Sequence, residues 1–310
     1  MRGKRGESPH RVLGPGSTIG IIGPAGPPDS GSIEKAVEFL AGQGLSVKLA
    51  KSLFCSYGYL AGTDQQRADD INQAFKDLHT DAILVARGGF GSNRLLHLLN
   101  YDAIRENPKP LIGYSDPTGI QLAMLVRSGV KSYYGPLAAS DLAGPSASFN
   151  FRRLIYALNA GPGDALFAGG WPKHAVVLAP GSAEGVLIGG CLAVLVSLVG
   201  TDYFPRTEGS ILFLEDVDEE PYRIDLYLTQ LRLSGVLSSV SGVLLGQFAR
   251  CRPRRKKPSF TLNEVITQHL ADRGCPVVAN LPFGHIKRKA TIPQGVRISL
   301  DTAQKRISII

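Results

Sequence analysis

The sequence contains no apolar run approaching the roughly 18 residues of a membrane-spanning helix, so a helical transmembrane protein is excluded and no membrane partner is expected. Its four cysteines, Cys55, Cys191, Cys251 and Cys275, are scattered without a C-x-x-C pair or repeated spacing. Neither a disulfide framework nor a zinc site is therefore expected, and a reducing cytoplasm is the expected compartment. Paired metal-ligand spacings such as H-x-H or H-E-x-x-H are missing, which argues against a metallohydrolase. No internal repeat is visible. Charged residues make up only 19% of the chain, against about 25% in an average soluble protein. The 44% of hydrophobic residues supplies a large core and excludes a disordered chain.

The charge that is present leans basic, with 34 Lys+Arg against 26 Asp+Glu over 310 residues, a formal net charge of +8. Part of it lies in the stretch 1–15, with Arg2, Lys4, Arg5 and Arg11. The only apolar pair there, Val12-Leu13, falls short of the roughly 7–15 residues of a secretory h-region, so a disordered basic tail is expected. Another part is the run Arg250, Arg252, Arg254, Arg255, Lys256 and Lys257, broken by Pro253 and Pro258. No aromatic residue is interleaved to stack on bases, so this run is read as a solvated loop and no nucleic-acid partner is expected.

Strand and helix patterns alternate through the first half. Thr18–Ile22, Ser46–Leu49, Ala82–Val85 and Pro110–Gly113 read as strands. Ser32–Leu40, Asp64–Leu78, Leu95–Leu99 and Gly119–Val126 read as helices. Such alternation implies a parallel sheet covered on both faces. The breakers Gly144-Pro145 and Gly161-Pro162-Gly163 place a linker over 146–170, separating an N-terminal α/β domain (16–145) from a C-terminal domain (171–310). The second domain is richer in strands. Ala175–Leu178, Gly185–Ile188, Ile211–Leu214, Ser241–Leu245 and Val277-Val278 are strands, and Val296–Ile310 is a hairpin turning at Asp301-Thr302-Ala303. Helices are expected over Leu192–Val199, Tyr222–Leu233 and Leu262–Leu270. The expected fold class is α/β in both domains, with the active site between them.

Two glycine clusters follow strands. In Gly20-x-x-Gly23-x-x-Gly26, Pro24, Pro27 and Pro28 block the helix that would receive a pyrophosphate, and Lys51 stands where a ribose-binding acid belongs. No dinucleotide cofactor is expected. In Arg87-Gly88-Gly89-Phe90-Gly91, by contrast, the glycines sit at the carboxyl end of a buried strand, where ligands bind in open α/β sheets. The segment Gly113-Tyr114-Ser115-Asp116-Pro117 ends another strand and opens a helix, aiming Ser115 out of the sheet beside free helical amides. Read alone, Ser115 or Asp116 serves equally well as an N-cap.

A serine nucleophile needs a base. His10 lies in the tail, His79 ends a helix, and His97 and His269 lie within amphipathic helices. His285, in the loop after Val277-Val278, is the best-placed candidate, with His174 beside Trp171 as runner-up. The base needs a carboxylate to fix its tautomer. Glu215-Asp216 at the end of Ile211–Leu214 offers two, on opposite faces of the strand, and the alternation does not choose between them.

Together, Arg87-Gly88-Gly89-Phe90-Gly91, Gly113-Tyr114-Ser115-Asp116, Gly189-Gly190, Leu214-Glu215-Asp216, Pro221-Tyr222-Arg223-Ile224-Asp225 and Gly284-His285 resemble the LD-carboxypeptidase family of serine peptidases, which includes the microcin-C resistance hydrolases. The resemblance runs from about Ser17 to the C-terminus. It implies a triad of Ser115, His285 and Glu215, with an oxyanion hole from the backbone amides of Gly89 and Asp116. It further implies a cytoplasmic homodimer, without cofactor or metal, that removes the terminal D-Ala of murein tetrapeptides in cell-wall recycling. The chain departs from the family pattern at Cys191, where asparagine is usual, and at Phe90, where tyrosine is commoner. Cys191 as an alternative nucleophile finds nothing nearby in sequence to lower its pKa. An exopeptidase must also hold a terminal carboxylate, for which Arg87, Lys287, Arg288 and Lys289 are the cations at hand. The alternatives are a peptidyl-nucleotide substrate of microcin-C type, with Trp171 stacking on the base, and a non-catalytic small-molecule-binding protein built on the same two-domain plan.

Overall fold

The computed structural model describes residues 13–254 and 258–310. The expected tail thus lies outside the described residues up to position 12, as do Arg255, Lys256 and Lys257 of the basic run. Leu13 belongs to the core, where it is buried beside the first sheet.

The first half folds in the order β1 (Thr18–Ile22), α1 (Ser30–Gly42), β2 (Ser46–Leu49), α2 (Asp64–Lys76), β3 (Ala82–Val85), α3 (Tyr101–Glu106), β4 (Leu111–Gly113), α4 (Thr118–Ser128), β5 (Ser132–Tyr134) and α5 (Ala147–Asn159). Continuous aliphatic runs make β1 and β3 the buried centre of a parallel sheet, with β2 at one edge and β4 and β5 on the other side. Helix ends are closed by side chains. Asp29 accepts from the Ser32 amide at 2.9 Å, and Thr63 and Gln66 form a capping box on α2. At the far end of α2, the buried Lys109 ammonium donates to the carbonyls of Ala74 and Phe75 at 3.0 and 2.9 Å. Leu95–Leu99, expected as helix, is 3-10 as far as Leu98, in a segment that starts at Ser92, and Leu99 is already extended. The stretch 146–170, expected as linker, carries α5, whose Phe151, Leu154 and Ala157 pack into the core of the first domain.

The second half runs β6 (Val176–Ala179), β7 (Ser182–Cys191), α6 (Leu192–Val196), β8 (Ile211–Val217), α7 (Pro221–Leu233), α8 (Val236–Ser239), β9 (Gly242–Ala249), α9 (Leu262–Leu270), β10 (Val277–Ala279), β11 (Ile292–Gln294), β12 (Arg297–Asp301) and β13 (Arg306–Ile309). Its mixed seven-stranded sheet has the order β13-β12-β7-β8-β9-β10-β6, parallel from β7 to β10 and antiparallel at both flanks. One strand does not stay with its neighbours in sequence. β11 returns to the first sheet and pairs antiparallel with β5, Ile292 opposite Tyr134. The loop between β10 and β11, which contains His285, is therefore stretched across the junction of the two sheets. Both domains are α/β, the first mostly parallel and the second mixed and richer in strands, as the sequence implies.

Candidate active site

The turn after β4 places Ser115 on left-handed backbone, φ +74°, one of the few non-glycine residues so held. Only Tyr114 separates it from β4, and Asp116 and Pro117 separate it from α4, a tight strand-to-helix turn of the kind that lifts a hydroxyl out of a sheet. Neither side chain of the pair caps α4. The Thr118 amide is met by the Ser115 carbonyl at 3.0 Å, and Pro117 occupies the N-cap position. The Asp116 carboxylate turns back instead to the glycine loop, accepting from the amides of Gly91 at 3.1 Å and Ser92 at 2.9 Å and from the Ser92 hydroxyl. Burial pushes the Asp116 carboxyl up, against the opposing pull of those donors. On its other side the loop is held by buried Arg67, which donates to the carbonyls of Gly91, at 3.2 Å, and Pro24. Gly89 has φ +126°, backbone only glycine adopts freely, and a Cβ on Gly88 would lie 3.2 Å from the Ser115 hydroxyl. The glycine loop and the serine turn are thus in contact.

Glu215 is the last residue of β8 paired with β7, opposite Cys191. Its fully buried carboxylate meets His285: Oε2 accepts from Nδ1 at 2.7 Å and from the His285 amide at 3.1 Å. A Cβ on Gly284, φ +104°, would fall 2.5 Å from that oxygen, so the approach requires glycine. The His285 ring lies edge-on to Tyr114 at 4.9 Å and keeps 16% of its side chain exposed. Asp216 points the other way and accepts from the Ala193 amide at 2.9 Å. Burial pushes the Asp216 carboxyl up to about 6. The strand alternation is seen directly in this pair.

Two further contacts tie the halves together. Thr118 Oγ1 donates to the Ser115 carbonyl at 2.6 Å and accepts from the Cys191 amide at 3.1 Å. A Cβ on Gly190 would come within 2.5 Å of the Thr118 methyl and one on Gly189 would run into the Phe213 carbonyl, which accounts for the Gly189-Gly190 pair. Sequence reasoning missed Tyr134, whose phenol lies between the Ser115 amide and Glu215, and the buried ion pair of Lys289 with Asp141, its ammonium 3.9 Å from the centre of the Tyr114 ring. The signal for both was weak, because each depends on segments far apart in the chain.

The remaining candidates separate clearly. A cavity of about 450 Å³ is lined by His285, Tyr114, Lys287 and Arg250. Of the four cations proposed for a carboxylate, only Lys287 lines it. Lys289 is consumed by Asp141, Arg288 stacks on Phe149 at 5.6 Å, and Arg87 donates to the Pro27 carbonyl at 3.1 Å. Arg250, first of the basic run, is bidentate to Asp218 at 2.7 Å on both bonds. Cys191 is buried beside Asp216, and burial drives its thiol well above its ordinary pKa. Phe90 is 56% exposed and edge-on to Tyr59 at 5.8 Å, next to the glycine loop. His174 is exposed in a second cavity with half-buried Trp171. His269 is buried against Asp225 at 2.7 Å, a packed histidine as expected. Among the described residues, no group of three or more His, Cys, Asp and Glu side chains is arranged to hold a metal ion, and no helix is long and apolar enough to cross a membrane.

Residues 19–135 match the LD-carboxypeptidase N-terminal domain and residues 184–300 the LD-carboxypeptidase C-terminal domain. The chain is 35% identical over 299 residues to a probable murein peptide carboxypeptidase of Bacillus subtilis, covering 95% of this chain and 92% of the relative. It is 31% identical over 292 residues to the murein tetrapeptide carboxypeptidase of Pseudomonas aeruginosa, covering 91% and 92%. The solved structure of the microcin C7 self-immunity protein MccF superposes with a TM-score of 0.88 at 27% identity, covering 98% of both chains. With both domain models matched in order and two such relatives spanning nearly its whole length, the chain belongs to the LD-carboxypeptidase family.

Proposed function

We propose that this protein is a serine LD-carboxypeptidase that releases the terminal D-Ala of murein tetrapeptides by cutting the L,D bond after diaminopimelate or lysine. The observation that carries the proposal is the 2.7 Å bond from His285 Nδ1 to buried Glu215, formed where the second sheet meets the strained Ser115 turn. With Nδ1 committed to Glu215, Nε2 is the ring nitrogen left to take a proton. Ser115 Oγ attacks the scissile carbonyl while His285 Nε2 accepts its proton, and Glu215 stabilises the imidazolium. The amides of Gly89 and Asp116 receive the oxyanion, each donor contributing roughly 2.7–4 kcal/mol in the transition state. His285 then protonates the departing amine of D-Ala, and water, activated by the same imidazole, releases the acyl group from Ser115. Lys287, on the wall of the His285 cavity, pairs with the terminal carboxylate.

The murein substrate is supported by what the relatives in Bacillus subtilis and Pseudomonas aeruginosa are named for. The family resemblance further supports a cytoplasmic homodimer, which light scattering on the purified protein tests. The direct test of the reaction is mass spectrometry of a murein tetrapeptide after incubation. The wild type removes one alanine, and Ser115→Ala slows that loss by roughly 10⁴-fold or more. Undiminished release by Ser115→Ala refutes the serine mechanism.

One observation favours a second substrate, a peptidyl nucleotide. A cavity of about 580 Å³ gathers Trp171, Phe149, Arg153, Lys173 and Arg288 with no carboxylate in its wall, which suits an anionic aromatic group. Comparing kcat/KM on murein tetrapeptide and on processed microcin C decides between the two.

A further inference from the structure

We propose that Tyr134 is a positioning residue of the hydrolysis, its phenol joining the backbone amide of the nucleophile to the carboxylate that orients the base. The inference rests on the reading of Ser115, His285 and Glu215 as the reacting and orienting groups. Tyr134 ends β5 and is 1% exposed. Its hydroxyl accepts from the Ser115 amide at 3.1 Å and lies 2.5 Å from Glu215 Oε1. A phenol has one proton to give. Since the Ser115 N–H can only donate, that proton points to Glu215, and the polarity of the chain is fixed: Ser115 N–H to Tyr134, Tyr134 O–H to Glu215. Burial raises the pKa of the phenol well above its ordinary value, so it stays a donor.

The ring has little freedom to leave this position. It lies edge-on to Phe213 at 5.4 Å and to Tyr114 at 6.0 Å, and Tyr114 in turn lies against His285. Two consequences follow for the chemistry. The Ser115 amide is taken up by the phenol, so the oxyanion hole is left to Gly89 and Asp116, and the left-handed turn is held by a bond inside the protein. The phenol also draws charge from Glu215, which moderates how strongly the carboxylate favours the imidazolium of His285. Tyr134 thus sets both the place of the nucleophile and the basicity of the base without touching substrate.

The test is the pH dependence of tetrapeptide hydrolysis by Tyr134→Phe, beside wild type and Ser115→Ala. In Tyr134→Phe, kcat falls by roughly 10- to 100-fold, the range spanned by loss of one or two buried hydrogen bonds, while KM stays within about two-fold. The acidic limb of the kcat/KM profile moves to higher pH, because Glu215 without its phenol donor holds the imidazolium more strongly. 3-Fluorotyrosine placed at position 134 keeps the shape and the bonds with a more acidic phenol, so it remains informative if Tyr134→Phe fails to fold. In that protein the limb moves to lower pH. Unchanged kcat and an unmoved limb in a folded Tyr134→Phe overturn the inference, as does a rise in KM alone or a limb that ignores fluorination. Full activity of Ser115→Ala would instead overturn the underlying serine reading.

Discussion

Replacing Asp141 with asparagine leaves the Lys289 ammonium buried without its counter-charge. The side chain of Lys289 is 2% exposed and that of Asp141 7%, so neither charge can be rescued by water. Removing one partner of such a pair costs on the order of 3–5 kcal/mol. The Tyr114 ring, 3.9 Å from the ammonium, attracts it in wild type and variant alike and so offsets none of that loss. Lys289→Met is milder, because the Asp141 carboxylate still accepts from the Leu137 amide at 2.9 Å and from Ser140 at 3.3 Å. The double variant Asp141→Asn/Lys289→Met contains no stranded charge and is more stable than Asp141→Asn alone. Urea unfolding followed by fluorescence of Trp171, the only tryptophan, measures all four proteins. Because Lys289 closes the loop that carries His285, and its amide is held by Asn150 at 3.1 Å, Asp141→Asn also lowers kcat. Losses below about 1 kcal/mol for Asp141→Asn, or strictly additive losses in the double variant, refute the account of this pair.

Other outcomes follow from the same geometry. Gly284→Ala drives a methyl to 2.5 Å from the Glu215 carboxylate, so kcat falls by at least roughly ten-fold while the protein remains folded by circular dichroism. Asp216, pushed up to about 6 by burial, binds a proton in the folded state that the unfolded chain has lost above about 4. Stability therefore falls from pH 4 to 6 by on the order of 2–3 kcal/mol from this group, and Asp216→Asn flattens that segment of the stability curve. Asp77 runs the opposite way. Its bonds to Lys48 and to the His79 amide hold its carboxyl well below the ordinary range, so its contribution is present above pH 4, is lost on acidification, and is absent in Asp77→Asn. Lys287→Met raises KM for the tetrapeptide by roughly ten-fold or more with little change in kcat, and amidation of the D-Ala carboxyl removes the difference between the two proteins.

The parts legible in the sequence are those with a local physical signature. Continuous aliphatic runs give β1 and β3, helical spacing gives α1, α4 and α9, and the alternation in Arg297–Asp301 and Arg306–Ile309 gives the terminal hairpin. Ser115 and His285 follow strands with a turn residue nearby and Glu215 lies near the end of one, so all three could be named as candidates before the fold. Choosing Glu215 over Asp216 was beyond local pattern, because the two are adjacent in β8; the family resemblance named Glu215, and the structure sets it on His285 while Asp216 turns to the Ala193 amide. β5 and β11 escaped for a similar reason. Each is three residues long, too short for a period, and β11 is a strand only because it pairs with β5, which itself lies beside β4. Tyr134 and the Lys289–Asp141 pair depend on that same crossing and were invisible with it. α5 is amphipathic, with Phe151, Leu154 and Ala157 at helical spacing, but the glycine and proline breakers on either side drew the reading toward a linker.

The central claim is that Ser115 is activated by His285 held on Glu215. Labelling the folded protein with a fluorophosphonate and mapping the modified peptide addresses it most directly. The account predicts a single adduct on Ser115 whose rate of formation falls by orders of magnitude in His285→Ala and Glu215→Ala. An adduct at any other residue, or labelling of Ser115 at an unchanged rate in those two variants, would contradict it.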